Sequence, residues 1–217
     1  MMATSKALLL GAAGLVLCAH NAQAFPSVSD TFVGYYGHYT HISASQNKAA
    51  EDFVKSMAHE GITFLGSADM SEAQKAKRFR KLLTDSFDMK TIGRFALGRY
   101  WRTASADQRN EYQKLFRDMI VEVYSRRFSE YDGQKLEVRS SRGDGKDITV
   151  TSFIVSDKGG PEVQVDWRVR HKNGQYKVID VVVEGVSMAL TQRSDFSSVI
   201  QRGGGEVSVL IAHLREQ

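Results

Sequence analysis

The chain has 217 residues, 29 Lys and Arg against 25 Asp and Glu, a formal net charge of +4, and one cysteine. That length suits a single domain with its own hydrophobic core. A lone Cys18 excludes a disulfide framework and a cysteine-built zinc site, and so small a positive excess points to anionic lipid surfaces, acidic partners or a plain basic exterior rather than to nucleic acid.

The chain begins with Lys6, the apolar run ALLLGAAGLVLCA (7–19) and Ala22-Gln23-Ala24. A basic start, a short apolar stretch and a small-x-small site predict a secretory signal peptide over residues 1–24, cleaved after Ala24. The run is shorter than the ~20 residues of a membrane span, so an uncleaved anchor is the weaker alternative. Leu17 is too large to precede a lipidated Cys18. Without Lys6 the charge falls from +4 to +3, and the exported chain has no cysteine, which suits a bacterial periplasm. Residues 25–44 lack a sustained period and predict a poorly ordered leader. Its His38 and His41 have no acidic or cysteine company and read as exposed polar residues. The remaining residues, 45–217, predict one domain.

Ser45 is a candidate cap for a first helix with Ala50, Phe53, Val54, Met57 and Ala58 on one side. Ser71 with Gln74 forms a capping-box pattern ahead of Phe79, Leu82 and Leu83. Asp88 is placed to cap a third helix burying Ile92, Phe95, Ala96 and Tyr100. Ser105 with Gln108 opens the most regular helix, with Tyr112, Leu115, Phe116, Met119, Ile120, Val123 and Tyr124 at steps of three and four.

After Gly133 the period becomes two. Strands are predicted around Leu136 and Val138, over 147–157, over 161–171 and over 176–186, the last two joined by the tight-turn signal Lys172-Asn-Gly-Gln175. Short connections make an antiparallel meander. In YKVIDVVVEGVSM (176–188), simple alternation puts Ile179, Val181 and Val183 on one face and Val178, Asp180, Val182 and Glu184 on the other. Both faces are then apolar, as in a sheet covered on two sides or one that also lines a ligand cavity. Asp195 is a candidate cap for a short turn with Phe196, Val199 and Ile200; Gly203–Gly205 breaks it, and Val207, Leu210, Ile211 and Leu214 mark a last helix. Helices before and after a strand block predict an α+β fold.

No nucleophile elbow, zinc-protease helix, phosphate loop or dinucleotide fingerprint occurs in the sequence. No cofactor, metal or nucleic acid is expected. Asp180 and Glu184 are the one candidate acid pair for a pocket enzyme; their simpler reading is strand acids meeting Lys177, Arg168 or Arg170. RFALGRYWR (94–102) mixes arginines with aromatics. Helical spacing buries Phe95 and Tyr100 and leaves Arg94, Arg99 and Arg102 as a cationic helix end open to phosphate.

FDMKTIGRFALGRYWRTASADQRNEYQKLF (87–116), followed by VIDVVVEGVSMALTQRSDFSSVI (178–200), resembles the MlaC family, the toluene-tolerance auxiliary proteins of bacterial ABC transport. The ordered motifs span about residues 46–215. The resemblance implies a curved antiparallel four-stranded sheet packed against helices, with an apolar lipid cavity between them. It implies a periplasmic carrier that shuttles phospholipid between an outer-membrane lipoprotein complex and an inner-membrane ABC transporter with an MCE-domain protein, maintaining outer-membrane lipid asymmetry. A hopanoid or another apolar lipid is the alternative cargo. The cavity is expected between the sheet and the helices at 89–101 and 106–128, walled by Phe95, Tyr100, Trp101, Met119, Val165, Trp167, Val181, Val183 and Met188.

Overall fold

A computed structural model describes residues 44–144 and 146–216; the signal pattern, Cys18, His38 and His41 lie outside the described residues. Five helical segments come first: α1 (Ala44–Leu65), α2 (Glu72–Ser86), α3 (Met89–Leu97), α4 (Tyr100–Thr103) and α5 (Ala106–Ser125). A 3-10 turn at Phe128–Glu130 leads into β1 (Lys135–Asp144), β2 (Asp147–Val155), β3 (Val163–Lys172), β4 (Gln175–Val183) and the two-residue β5 (Val186–Ser187). Helices α6 (Met188–Arg202) and α7 (Val207–Arg215) close the chain. The sheet is an open antiparallel meander in the order β1-β2-β3-β4-β5, so it has five strands where four were expected.

The local signals decide most helix starts. Both capping boxes form: Ser71 and Gln74 exchange side-chain and backbone bonds, as do Ser105 and Gln108. Asp88 accepts from the Thr91 amide at 2.9 Å. Three expectations fail. Ser45 lies inside α1 rather than ahead of it. The third helix stops at Leu97, where Gly98 takes φ +59, and Phe95, expected to be buried, is 42% exposed. Asp195 sits in mid-helix: α6 starts seven residues earlier, where the Ser187 hydroxyl accepts from the Leu190 amide.

The two-faced apolar strand has a physical answer. Val181 pairs with Trp167 and Asp180 with Arg168, but the next ladder pair is Val178 with Val169, leaving Ile179 as an extra residue. This β-bulge reverses the alternation. Val178, Val181 and Val183 therefore share one face with Val165, Trp167, Val169, Ile148 and Val150, and the expected split of the valines is overturned. The opposite face is polar: Thr151 donates to Asp166 at 2.6 Å, and Arg170 holds Asp147 at 2.6 Å through both oxygens. At the bulge the Val178 carbonyl accepts the Asp88 amide at 2.9 Å, docking the α2–α3 joint on the strand edge that β5 is too short to cover.

The Arg170 bond holds the Asp147 carboxyl below its ordinary value of 3.8. A carboxylate depressed on folding stabilises the fold above its unfolded pKa and ceases to do so as pH falls through the folded value. Melting temperature is thus expected to fall from about pH 5 downward. Asp147→Asn should melt lower at pH 7 and lose less on acidification; a decline as steep as wild type would place the acid-sensitive group elsewhere.

Candidate functional site

Two hydrophobic cores form rather than one. The first lies under α1: Ala50, Val54 and Met57 meet Ile148, Val150, Val169 and Val178 on the apolar sheet face, together with Leu82. The second is helical, with Tyr112, Phe116 and Met119 of α5 packed on Leu97, Phe196, Ile200 and Leu210. Helix α2 runs between them. Leu82 belongs to one core and Leu83 to the other, while Phe79 and Phe87 pack partly buried against both. An aromatic cluster adjoins this junction: Phe79 meets Phe128 edge-on at 5.4 Å and Tyr124 at 6.2 Å, and Phe64 meets Phe128 at 6.1 Å. Burial pushes the Tyr124 phenol pKa up, so it stays neutral.

The sheet side of the first core is incompletely covered. Trp167 and Val181 stand opposite each other in the β3–β4 register, yet both are half-buried, as are Leu136 and Val138 on β1. Mid-sheet apolar residues on an inner face are ordinarily dry. Trp167 also has its polar edge turned inward: its indole N–H donates to Ser152 Oγ at 2.9 Å, and that hydroxyl donates to the Val165 carbonyl at 3.0 Å. What remains of Trp167 is an apolar surface without a donor to satisfy.

Of the nine expected wall residues, Val165, Trp167, Val181 and Val183 do share this face, with Val165 and Val183 fully covered. Tyr100 and Met119 are buried in the helical core, and Trp101 packs half-buried against it beneath the guanidiniums of Arg109 (5.5 Å) and Arg94 (5.9 Å). Met188 is the half-buried first residue of α6. Phe95 faces outward under Arg193, 5.4 Å from its ring. The helix lying over β1 and β2 is α1, whereas α3 meets the sheet mainly at β4. Sequence reasoning missed Phe79 and Phe87 as bridging residues; the Phe79-Leu82-Leu83 stripe was the available signal for the first.

Asp180 and Glu184 form no acid pair. Asp180 is buried, accepting from Ser187 Oγ at 2.7 Å and the Ala189 amide at 3.1 Å, with Arg168 at 3.9 Å, and so fixes the start of α6. Glu184 is exposed in the turn after β4, where its carboxylate accepts the Gln164 amide. Among the described residues no group of three or more His, Cys, Asp or Glu is placed to hold a metal, and no helix is long and apolar enough to cross a membrane.

A protein-family model described as MlaC protein matches residues 55–216. The chain is 27% identical over 133 residues to the Haemophilus influenzae intermembrane phospholipid transport system binding protein MlaC, covering 59% of this chain and 61% of that one. It is 24% identical over 113 residues to the toluene tolerance protein ttg2D of Pseudomonas putida, covering 52% and 53%. The matches thus span somewhat over half the length of these curated relatives. Among solved structures, a phospholipid-binding protein from Ralstonia solanacearum, determined in complex with a phospholipid, superposes with a TM-score of 0.67 at 24% identity, over 77% of this chain and 95% of that one. At that identity the likeness establishes the fold.

Proposed function

The chain belongs to the MlaC protein family, and on that premise we propose that it is a periplasmic carrier of phospholipid that keeps acyl chains dry in the apolar junction between its two cores. The observation that carries this reading is the half-buried Trp167–Val181 pair, with Leu136 and Val138 likewise half-buried, on the apolar sheet face. Its support from outside the chain is the Haemophilus relative, described as part of intermembrane phospholipid transport, and the Ralstonia protein, which has the same fold and was solved with phospholipid. The export pattern at residues 1–24 supports the compartment.

Burying a methylene is favourable by about 0.8 kcal/mol, so two acyl chains with roughly 30 methylenes gain on the order of 20 kcal/mol at most. A lipid therefore does not cross water unaided, and a site that shelters it fully gives it up only to a state that competes. Donor and acceptor would be an outer-membrane lipoprotein complex and an inner-membrane ABC transporter with an MCE-domain protein. Organic extraction of the purified protein with mass spectrometry of the extract is expected to yield about one phospholipid per chain. A hopanoid in its place would change the cargo and keep the carrier; an extract without lipid would refute the carrier.

A further inference from the structure

A concavity lies apart from the junction. It is a cleft of about 470 Å³ between α4 and the α6–α7 turn, lined by Arg99, Tyr100, Arg102, Thr103, Gln201 and Gly205. Its volume falls in the range of small-ligand sites. The lining offers two guanidiniums, two hydroxyls and an amide, and it contains no carboxylate. Arg99 is set in place by stacking on the Tyr100 ring at 4.9 Å and donating to its hydroxyl at 2.9 Å. Arg102 is exposed and makes no ion pair.

The charge on the cleft wall is one-sided. Several arginines elsewhere face a carboxylate: Arg80 with Asp118, Arg126 with Glu122, Arg139 with Glu162, Arg170 with Asp147 and Arg215 with Glu111. Among the described residues, Arg99 and Arg102 in the cleft have no such partner; the same holds for Arg94 on α3, for Arg193 and Arg202 on α6, and for Arg78, Arg109, Arg117 and Arg142. The far wall is fixed by packing. A Cβ on Gly203 would sit 2.6 Å from Val209, so only glycine lets α7 fold back this closely.

We propose that this cleft binds a phosphate-class anion through Arg99 and Arg102, the anion being either a phosphate-bearing lipid headgroup at a membrane surface or a free phosphate. Guanidinium forks match phosphate oxygens, and the neutral donors around them complete the shell. The site lies outside the apolar junction, so it stands or falls independently of acyl-chain carriage.

The test measures phosphate binding by purified protein at fixed ionic strength in three arms: calorimetry with inorganic phosphate, calorimetry with glycerol 3-phosphate, and sedimentation with phosphatidylcholine vesicles with and without phosphatidic acid. Saturable binding is expected, weakened about ten-fold or more by Arg102→Gln. Arg142→Gln, which removes the same charge from an exposed position on β1, is expected to bind as wild type does. Circular dichroism checks that both variants are folded. Arg102-dependent binding to phosphatidic-acid vesicles identifies a headgroup as the source, and Arg102-dependent binding of soluble phosphate alone identifies the free anion; either supports the site. No saturable binding in any arm, or equal loss in Arg142→Gln, overturns it.

Discussion

Val181→Asp is expected to give a folded chain that has lost most of its lipid, whereas Val178→Asp is expected to give no folded chain at all. The two residues are three apart on one strand and, through the bulge at Ile179, lie on one face. Val178 has no exposed surface and touches the α1 core, so an acid there is an unpaired charge among hydrocarbon. Stranding such a charge costs about 3–5 kcal/mol or more, against a total stability of about 5–15 kcal/mol. Val181 is half-buried beside Trp167, where water can reach a carboxylate once lipid has left. The expected readouts are a near-native melting curve with a lipid-to-protein ratio several-fold lower for Val181→Asp, and aggregation or no cooperative melt for Val178→Asp. A folded Val181→Asp protein with full lipid would remove Val181 from the site.

Phe116→Ala is expected to do the reverse, lowering stability and sparing lipid. Phe116 is 1% exposed, stacks on Tyr112 at 5.8 Å and meets Phe196 edge-on at 6.1 Å. Tyr112 in turn is anchored by donating to the Gly93 carbonyl at 2.8 Å, with its phenol pKa pushed up by burial. Removing the ring leaves a cavity that three helices cannot close, at a cost of about 3–5 kcal/mol. For a domain of this size the melting temperature should fall on the order of 10 °C. Lipid extracted from protein kept well below that melt should be unchanged. Lost lipid with an unchanged melt would mean that Phe116 lines the cavity instead of a solid core.

These variants differ in outcome because of features that were unequally legible. Helix starts at Ser71, Asp88 and Ser105 depend on contacts within four residues, and the sequence displays both partners. The α6 start was hidden because Ser187 has no Glu or Gln three residues on, and its hydroxyl is oriented by Asp180, across the β4–β5 turn. The polarity of β2 and β3 was readable from alternation, but the β4 bulge depends on the distant Asp88 amide finding the Val178 carbonyl. Alternation fixes a face only while the ladder stays in step. In the candidate site, Trp167 and Val181 were identifiable as inward apolar residues, but incomplete cover over them is a property of how α1 and α2 lie. The arginines of 94–102 stood out as a cluster; that Gln201 and Gly205 close a cleft around two of them is decided a hundred residues later by the return of α6.

The bulge also sets where this chain tolerates a change in length. Around Ile179 the count of residues is odd by one, and the side-chain faces depend on that count. Deleting Ile179 while keeping the Val165–Val183 end in register would remove the bulge and leave Val178, Lys177 and Tyr176 opposite Val169, Arg170 and His171, on the faces they hold now. An insertion anywhere between Tyr176 and Val183 would shift the same set of residues. The exposed connection at 156–162 carries no such constraint and can lengthen at the modest cost of closing a longer loop. Insertion in this architecture is therefore admissible between β2 and β3 and disruptive within β4, where loss of the unpaired Ile179 is the one change in length that keeps each side chain on its face.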